Sequence, residues 1–278
     1  MECILFSDTG SGESEQYKVA KSIEKLLKKN KQIKFIVATG DNIYEDGCTS
    51  VNDEQFNTKF QDPYKNIDLP FYLCLGNHDY NLGLNAAKVQ IDYTFSELNK
   101  NKKWNMPNKW YTLSYPNLDL VFIDTNFYWL SQSVIQKQLN DTIKSLNKNK
   151  NKWKILCGHH TWRSVGGHGS AEDQHESFMN SLLKKAKFHL YVCGHDHCKS
   201  IIELKEKNIH TLVIGTGGKS YSEEMFYPDK LSENELLHFY SPNLGICHMK
   251  CTKKNLILKC YNEKLDLEYS YKISKNNI

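Results

Sequence analysis

Short apolar runs at 3–7, 33–38, 71–75, 119–123, 153–157 and 188–193 have the length of buried strands. Between them, apolar residues recur with the helical period over 15–29, 85–98, 132–147 and 174–186. Alternation of the two periods predicts βαβ layering. After residue 198 the helical period stops, and strand-like runs at 200–204, 210–215, 244–251, 254–261 and 265–273 predict a second, mostly antiparallel sheet. Two packed mixed sheets with helices outside make an α/β, four-layer α-β-β-α sandwich, expected as a single domain over 1–278. The lysine- and asparagine-rich connectors at 99–103 and 147–154 read as surface turns. The segment 219–240 is the least regular and reads as a lid or rim loop.

Composition narrows the class without choosing a function. With 278 residues, 40% of them hydrophobic, the chain can bury a full core. A net charge of +4, from 36 basic and 32 acidic residues, is too diffuse for a nucleic-acid footprint and suits attraction of anionic esters at most. No apolar run reaches the roughly 20 residues of a membrane span. Cys3-Ile4-Leu5-Phe6 reads as strand directly after Met1, which leaves no room for a leader, so a cytoplasmic location is expected. Nine cysteines, an odd number with several inside the strand runs, read as reduced thiols packed as small hydrophobes. No Cys-x-x-Cys occurs to suggest a zinc cluster.

The chemistry lies in five runs placed just after strands: Asp8-Thr9-Gly10, Gly40-Asp41-Asn42-Ile43-Tyr44, Gly76-Asn77-His78-Asp79, Gly158-His159-His160 and Gly194-His195-Asp196-His197. Residues at the carboxyl ends of strands in an α/β sheet converge on one crevice. Carboxylates suit hard cations, one carboxylate can bridge two of them, and imidazoles complete a pair of sites, so the runs gather ligands for two metal ions. Asp41 is the natural bridge. Asn77 is a weak ligand, useful only beside stronger ones; standing alone it would read as a turn residue.

These runs resemble the calcineurin-like metallophosphoesterases, and within them the purple acid phosphatases of the small, mammalian-type, tartrate-resistant form. Gly10 stands where most members of the wider family have histidine, and Tyr44 ends the second run. The resemblance extends through Ile123-Asp124-Thr125 and Thr216-Gly217-Gly218. It implies a calcineurin-like fold and Fe(III) held by Asp8, Asp41, Tyr44 and His197. A divalent ion, Fe, Zn or Mn, would be held by Asp41, Asn77, His159 and His195. His78 and His168 match the two non-ligand histidines near substrate, the first on the phosphoryl oxygens and the second on the leaving group. His160 is expected to point into the adjoining loop. Ser7 and Thr9 depart from the glycine and tryptophan usual in the first run.

The reaction implied is hydrolysis of phosphate monoesters by metal-bound hydroxide, with no phosphorylated side chain. A phosphorylated small molecule or phosphoprotein would be the substrate, with no specific nucleic acid and no membrane as partner. Two alternatives stand beside it: a phosphodiesterase or nucleotide pyrophosphatase using the same metals, and a non-catalytic protein-binding scaffold of the same fold. The family's long flap after the Asp-Thr step is missing, because Asn126-Phe127-Tyr128-Trp129-Leu130 runs almost directly into the 132–147 helix. An open site is therefore expected.

Overall fold

The computed structural model describes residues 1–171, 173–221 and 225–275. Among the described residues, fourteen strands divide between two seven-stranded mixed sheets. The first sheet is built on β1 (Glu2–Phe6), β2 (Ile33–Ala38), β3 (Phe71–Leu73) and β4 (Trp104–Asn105), parallel to one another. On its other side β1 pairs antiparallel with β12 (Gly245–Cys251), followed by β13 (Asn255–Asn262) and β14 (Leu267–Ser274). The second sheet runs in the order β11 (Glu235–Ser241), β9 (Lys199–Leu204), β10 (Ile209–Ile214), β8 (Leu190–Cys193), β7 (Trp153–Cys157), β6 (Leu118–Phe122) and β5 (Tyr111–Tyr115).

Period-two alternation creates three hydrophobic layers from these strands. Cys3, Leu5, Leu118, Leu120 and Phe122 point between the sheets. Ile4 and Phe6 face outward to α1 (Ser14–Lys29) and α2 (Leu84–Tyr93), meeting Val19, Ile23 and Ala87. Val121 and Ile123 face the opposite way, toward α3 (Gln132–Asn147) and α4 (Asp173–Leu183), where Phe178, Met179 and Leu182 cover them. Phe122 is fully buried, so Phe122→Ala would cost about 3–5 kcal/mol in lost transfer energy and cavity. The α3 helix starts on Ser131, whose Oγ accepts the Val134 N–H at 3.4 Å.

The four-layer expectation holds, with corrections in how strands are shared. The five runs after residue 198 do not form a sheet of their own: three extend the first sheet, and two, with β11 beside them, extend the second. Backbone edges decide this, since β10 aligns parallel to β8 while β12 aligns antiparallel to β1. Within 219–240, read as a rim loop, residues 235–241 form β11 on β9, because a strand edge was open for its Leu236, Leu237 and Phe239. Of that segment, 222–224 lie outside the described residues. β4 and β5 were not anticipated. The second helix stops at Tyr93, where Thr94 turns to bond Met106 through its hydroxyl. Lys154, counted in a surface connector, is buried and pairs with Asp119 at 2.6 Å. All nine cysteines are buried free thiols. No helix among the described residues is long and apolar enough to cross a membrane.

Candidate metal centre

The five runs meet where the carboxyl ends of the two sheets adjoin. The β1 and β2 ends are tied together by the Asp8 N–H donating to Gly40 at 3.1 Å and the Thr9 N–H donating to Asp41 at 3.1 Å. The sheets are joined by His159, whose Nδ1 lies 2.9 Å from the Thr39 carbonyl, and by the His195 N–H donating to Asp8 Oδ2 at 3.1 Å. Asp8, Asp41 and His195 all take positive φ, at 57°, 50° and 69°. Non-glycine residues in that region are sparsely populated, and their clustering at one place is characteristic of functional sites. Gly76 is required for a different reason: a Cβ there would come within 2.1 Å of Asp41 Oδ1.

Two groups of side chains flank Asp41. On one side Tyr44 Oη lies 3.1 Å from Asp8 Oδ1 and 3.3 Å from His197 Nε2, and His197 Nε2 lies 3.4 Å from Asp8 Oδ1. On the other, His159 Nε2 lies 3.0 Å from Asn77 Oδ1 and 3.4 Å from Asp41 Oδ2, with the His195 ring 5.1 Å from that of His159. Donor atoms of Asp8, Asp41 and His159 all fall within 4.8 Å of one another. Every residue expected as a ligand thus lies in this one cluster.

The cluster's electrostatics call for cations. Asp8 and Asp41 are 0% and 2% exposed, and among the described residues neither forms an ion pair with lysine or arginine. Buried carboxylates without cationic partners are costly. Burial opposes charge on Asp8, yet the His197 hydrogen bond and the His159 and His197 imidazoles hold its carboxyl below the usual range. Burial likewise opposes charge on His159, and the Asp41 carboxylate outweighs it, carrying the imidazole up to about 9. Burial, followed by the Asp41 and Asp8 charges, pushes the Tyr44 phenol well up. Hard cations at this point would displace the His159 proton and reverse the penalty on the phenolate, so the donor set fits a metal pair.

His78 and His168 frame the cluster. The His78 ring packs on Tyr44 with centroids 4.5 Å apart, the His78 backbone N–H donates to Asp41 Oδ1 at 3.0 Å, and the ring Nδ1 lies 2.6 Å from the Glu45 carbonyl. The His168 ring stacks on His195, centroids 4.0 Å apart at 27°. His160 reaches the loop that follows β6 and also faces the cluster. Its ring lies 4.6 Å from that of His195 and its Nδ1 2.8 Å from Thr125 Oγ1, because the Thr125 hydroxyl offers a polar anchor on this side.

Two carboxylates not assigned from sequence support the site. Buried Asp79 accepts from the N–H groups of Asn42, Ile43 and Gly76 at 3.0, 3.2 and 2.8 Å, locking the turns that carry Asp41 and Asn77. Buried Asp196 accepts from the His168 N–H at 2.7 Å, from Tyr221 Oη at 2.5 Å and from Ser164 Oγ. Tyr221 in turn stacks on His197 at 5.1 Å. The signal was present in both cases, since each aspartate stands inside a ligand-bearing run.

The profile described as calcineurin-like phosphoesterase matches residues 1–199, and the chain belongs to that family. Among relatives, Purple acid phosphatase 4 of Arabidopsis thaliana is 29% identical over 255 residues, covering 83% of this chain and 70% of that protein. Human Tartrate-resistant acid phosphatase type 5 is 26% identical over 206 residues, covering 66% and 61%. A solved structure described as "GAP50 the anchor in the inner membrane complex of Plasmodium" superposes with a TM-score of 0.81 at 23% identity, covering 99% of this chain and 88% of that one. At that identity the likeness shows the fold.

Proposed function

We propose that the chain is a phosphomonoesterase of the purple acid type, working with a ferric ion and a divalent partner. The observation that carries this reading is the division of donors about Asp41: Asp8, Tyr44 and His197 on one side, Asn77, His159 and His195 on the other. Carboxylate and phenolate oxygens suit a hard trivalent ion, and the imidazole- and amide-rich half suits Fe, Zn or Mn in the divalent state. When bound, such a pair supplies Lewis acidity and a water acidified far below its free pKa.

The chain's own residues would bind and orient the ester. His78, anchored to the Glu45 carbonyl and seated on Tyr44, is placed to hydrogen-bond phosphoryl oxygens. His168, held by Asp196 through its backbone and stacked on His195, is placed to give a proton to the departing alkoxide. Asp79 and Asp196 keep the two sets of turns in register. Substrates are phosphorylated small molecules or phosphoproteins.

A second reading, a binding scaffold without catalysis, draws on the fold shared with a protein described as an anchor. The full donor set and both flanking histidines favour the enzyme. Metal-loaded protein should release phosphate from 4-nitrophenyl phosphate, do so far more slowly from the bis(4-nitrophenyl) diester, and lose activity in Asp41→Ala. A preference for the diester would favour the phosphodiesterase alternative. Absence of turnover of either ester by protein carrying two metals would favour the scaffold.

A further inference from the structure

A cavity of about 790 Å³ opens beside the metal-ligand cluster, much larger than a phosphoryl group alone requires. Asn77, His160, His168 and His195 line its inner end. One wall is the single turn Phe127–Trp129 that stands where the family's flap is missing. Phe127 has a packing role, buried against Phe178 at 5.0 Å. Trp129 and Tyr128 both keep ring surface open. Trp129 rests one face on Tyr80, centroids 6.1 Å apart at 19°, and remains 37% exposed. Tyr128 is 91% exposed and meets Trp129 edge-on at 5.7 Å and 89°. One exposed tyrosine is ordinary. Two perpendicular aromatic rings lining a cavity that leads to a phosphoryl site are a stacking corner of the kind that takes a planar ring.

The remaining walls are polar. Asp173 and Gln174 lie on the cavity at the start of α4. The Thr125 hydroxyl accepts the His160 backbone N–H at 3.0 Å and lies 2.8 Å from His160 Nδ1, and His160 itself lines the cavity. A phenyl ring has no hydrogen bonds to give such groups, whereas a nucleobase edge and ribose hydroxyls do.

We propose that this cavity is a leaving-group subsite for nucleoside 5′-monophosphates, a proposal that rests on the phosphomonoesterase reading above. The base lies in the Tyr128–Trp129 corner and the ribose lies toward His160. Water supplies the oxygen that joins phosphorus, the P–O5′ bond breaks with its electron pair going to O5′, and O5′ takes a proton. The products are a nucleoside and inorganic phosphate.

The test compares kcat/KM for AMP with that for ribose 5-phosphate, which leaves through the same primary alkoxide and lacks only the base. O-phospho-L-tyrosine is a third arm. Stacking of one base is worth on the order of 5- to 100-fold, so wild type should favour AMP over ribose 5-phosphate by about tenfold or more. Tyr128→Ala and Trp129→Ala should each bring the ratio to within about twofold of unity, and Tyr128→Phe should restore it. Because Tyr128 is so exposed, its removal leaves the fold intact. Binding of adenosine, followed by tryptophan fluorescence, should weaken at least about fivefold in Tyr128→Ala, and this readout needs no turnover. Equal rates on AMP and ribose 5-phosphate in wild type would overturn the subsite. So would a Tyr128 dependence seen with phosphotyrosine and not with AMP. If none of the three phosphates is hydrolysed by protein carrying two metals, the phosphomonoesterase reading fails, and adenosine binding then decides the subsite by itself; hydrolysis of phosphotyrosine with neither AMP nor ribose 5-phosphate turned over would overturn the subsite and leave that reading standing.

Discussion

His168 stacks on His195 with ring centroids 4.0 Å apart, so a residue matched to the leaving-group histidine lies directly against a residue matched to a metal ligand. Loss of the His168 ring should therefore cost rate without emptying the metal sites. His168→Ala is expected to lower kcat/KM for an alkyl phosphate by about 10²–10⁴-fold. An aryl phosphate, whose leaving group hardly needs a proton, should suffer much less. Equal losses on both esters would remove His168 from the role of acid.

The two halves of the cluster make separable predictions about metal content. Asn77→Ala or His195→Ala should leave one metal ion per chain where wild type holds two. Asp41→Ala should lose both, because Asp41 charge acts on Tyr44, His159 and His197 alike. Elemental analysis of each purified variant checks this. Two ions retained in Asp41→Ala would rule out a bridging carboxylate at that position.

The missing flap predicts that no processing is needed. The segment after Thr125 makes only the Phe127–Trp129 turn before Ser131 caps α3, and all nine cysteines are free. Initial rates should be the same before and after limited trypsin treatment. Thiol reductants should act only through reduction of the metal centre. A severalfold rise accompanying a cut between residues 124 and 135 would show that the short turn acts as a lid.

Acid should destabilise the metal-free fold through buried imidazoles outside the cluster. His175 and His210 are 8% and 4% exposed, and burial carries both down to about 4. Their folded values lie below the ordinary value near 6.5, so between pH 6.5 and 4 the unfolded chain takes up protons that the folded chain refuses. Stability is complete above that window and is lost as pH falls through it. At about 1.4 kcal/mol per pH unit, each histidine withdraws roughly 2 kcal/mol between pH 6.5 and 5. Urea unfolding at pH 7, 6 and 5 should show this slope, reduced in His175→Gln and in His210→Gln. An unchanged slope in both variants would assign the acid sensitivity elsewhere.

Much of the site was legible because its chemistry is local. Asp8, Asp41, Asn77, His159 and His195 each follow a strand by a few residues, and the parallel strands carry them to a common edge. The partition of strands was not legible in the same way. Whether β12 pairs with β1 or starts a sheet of its own depends on which edges are free, a long-range property absent from apolar periodicity. The strand β11 was hidden in an irregular segment for the same reason. The partner of His160 was not legible, because Thr125 lies 35 positions earlier in the chain. Tyr128 and Trp129 were visible only as a short link, and the cavity they border exists only once residues 160–175 are brought against them.

The most direct measurement on the proposed centre is the visible spectrum of the oxidised, iron-loaded protein, taken together with its metal content. A phenolate on ferric iron gives a charge-transfer band that carboxylates and imidazoles do not. Tyr44 is the phenol placed at that position, 3.1 Å from Asp8 and 3.3 Å from His197. Wild type should be coloured with two metals per chain, and Tyr44→Phe should lose the band. A colourless wild-type protein with a full complement of ferric iron and high phosphatase activity would contradict the assignment.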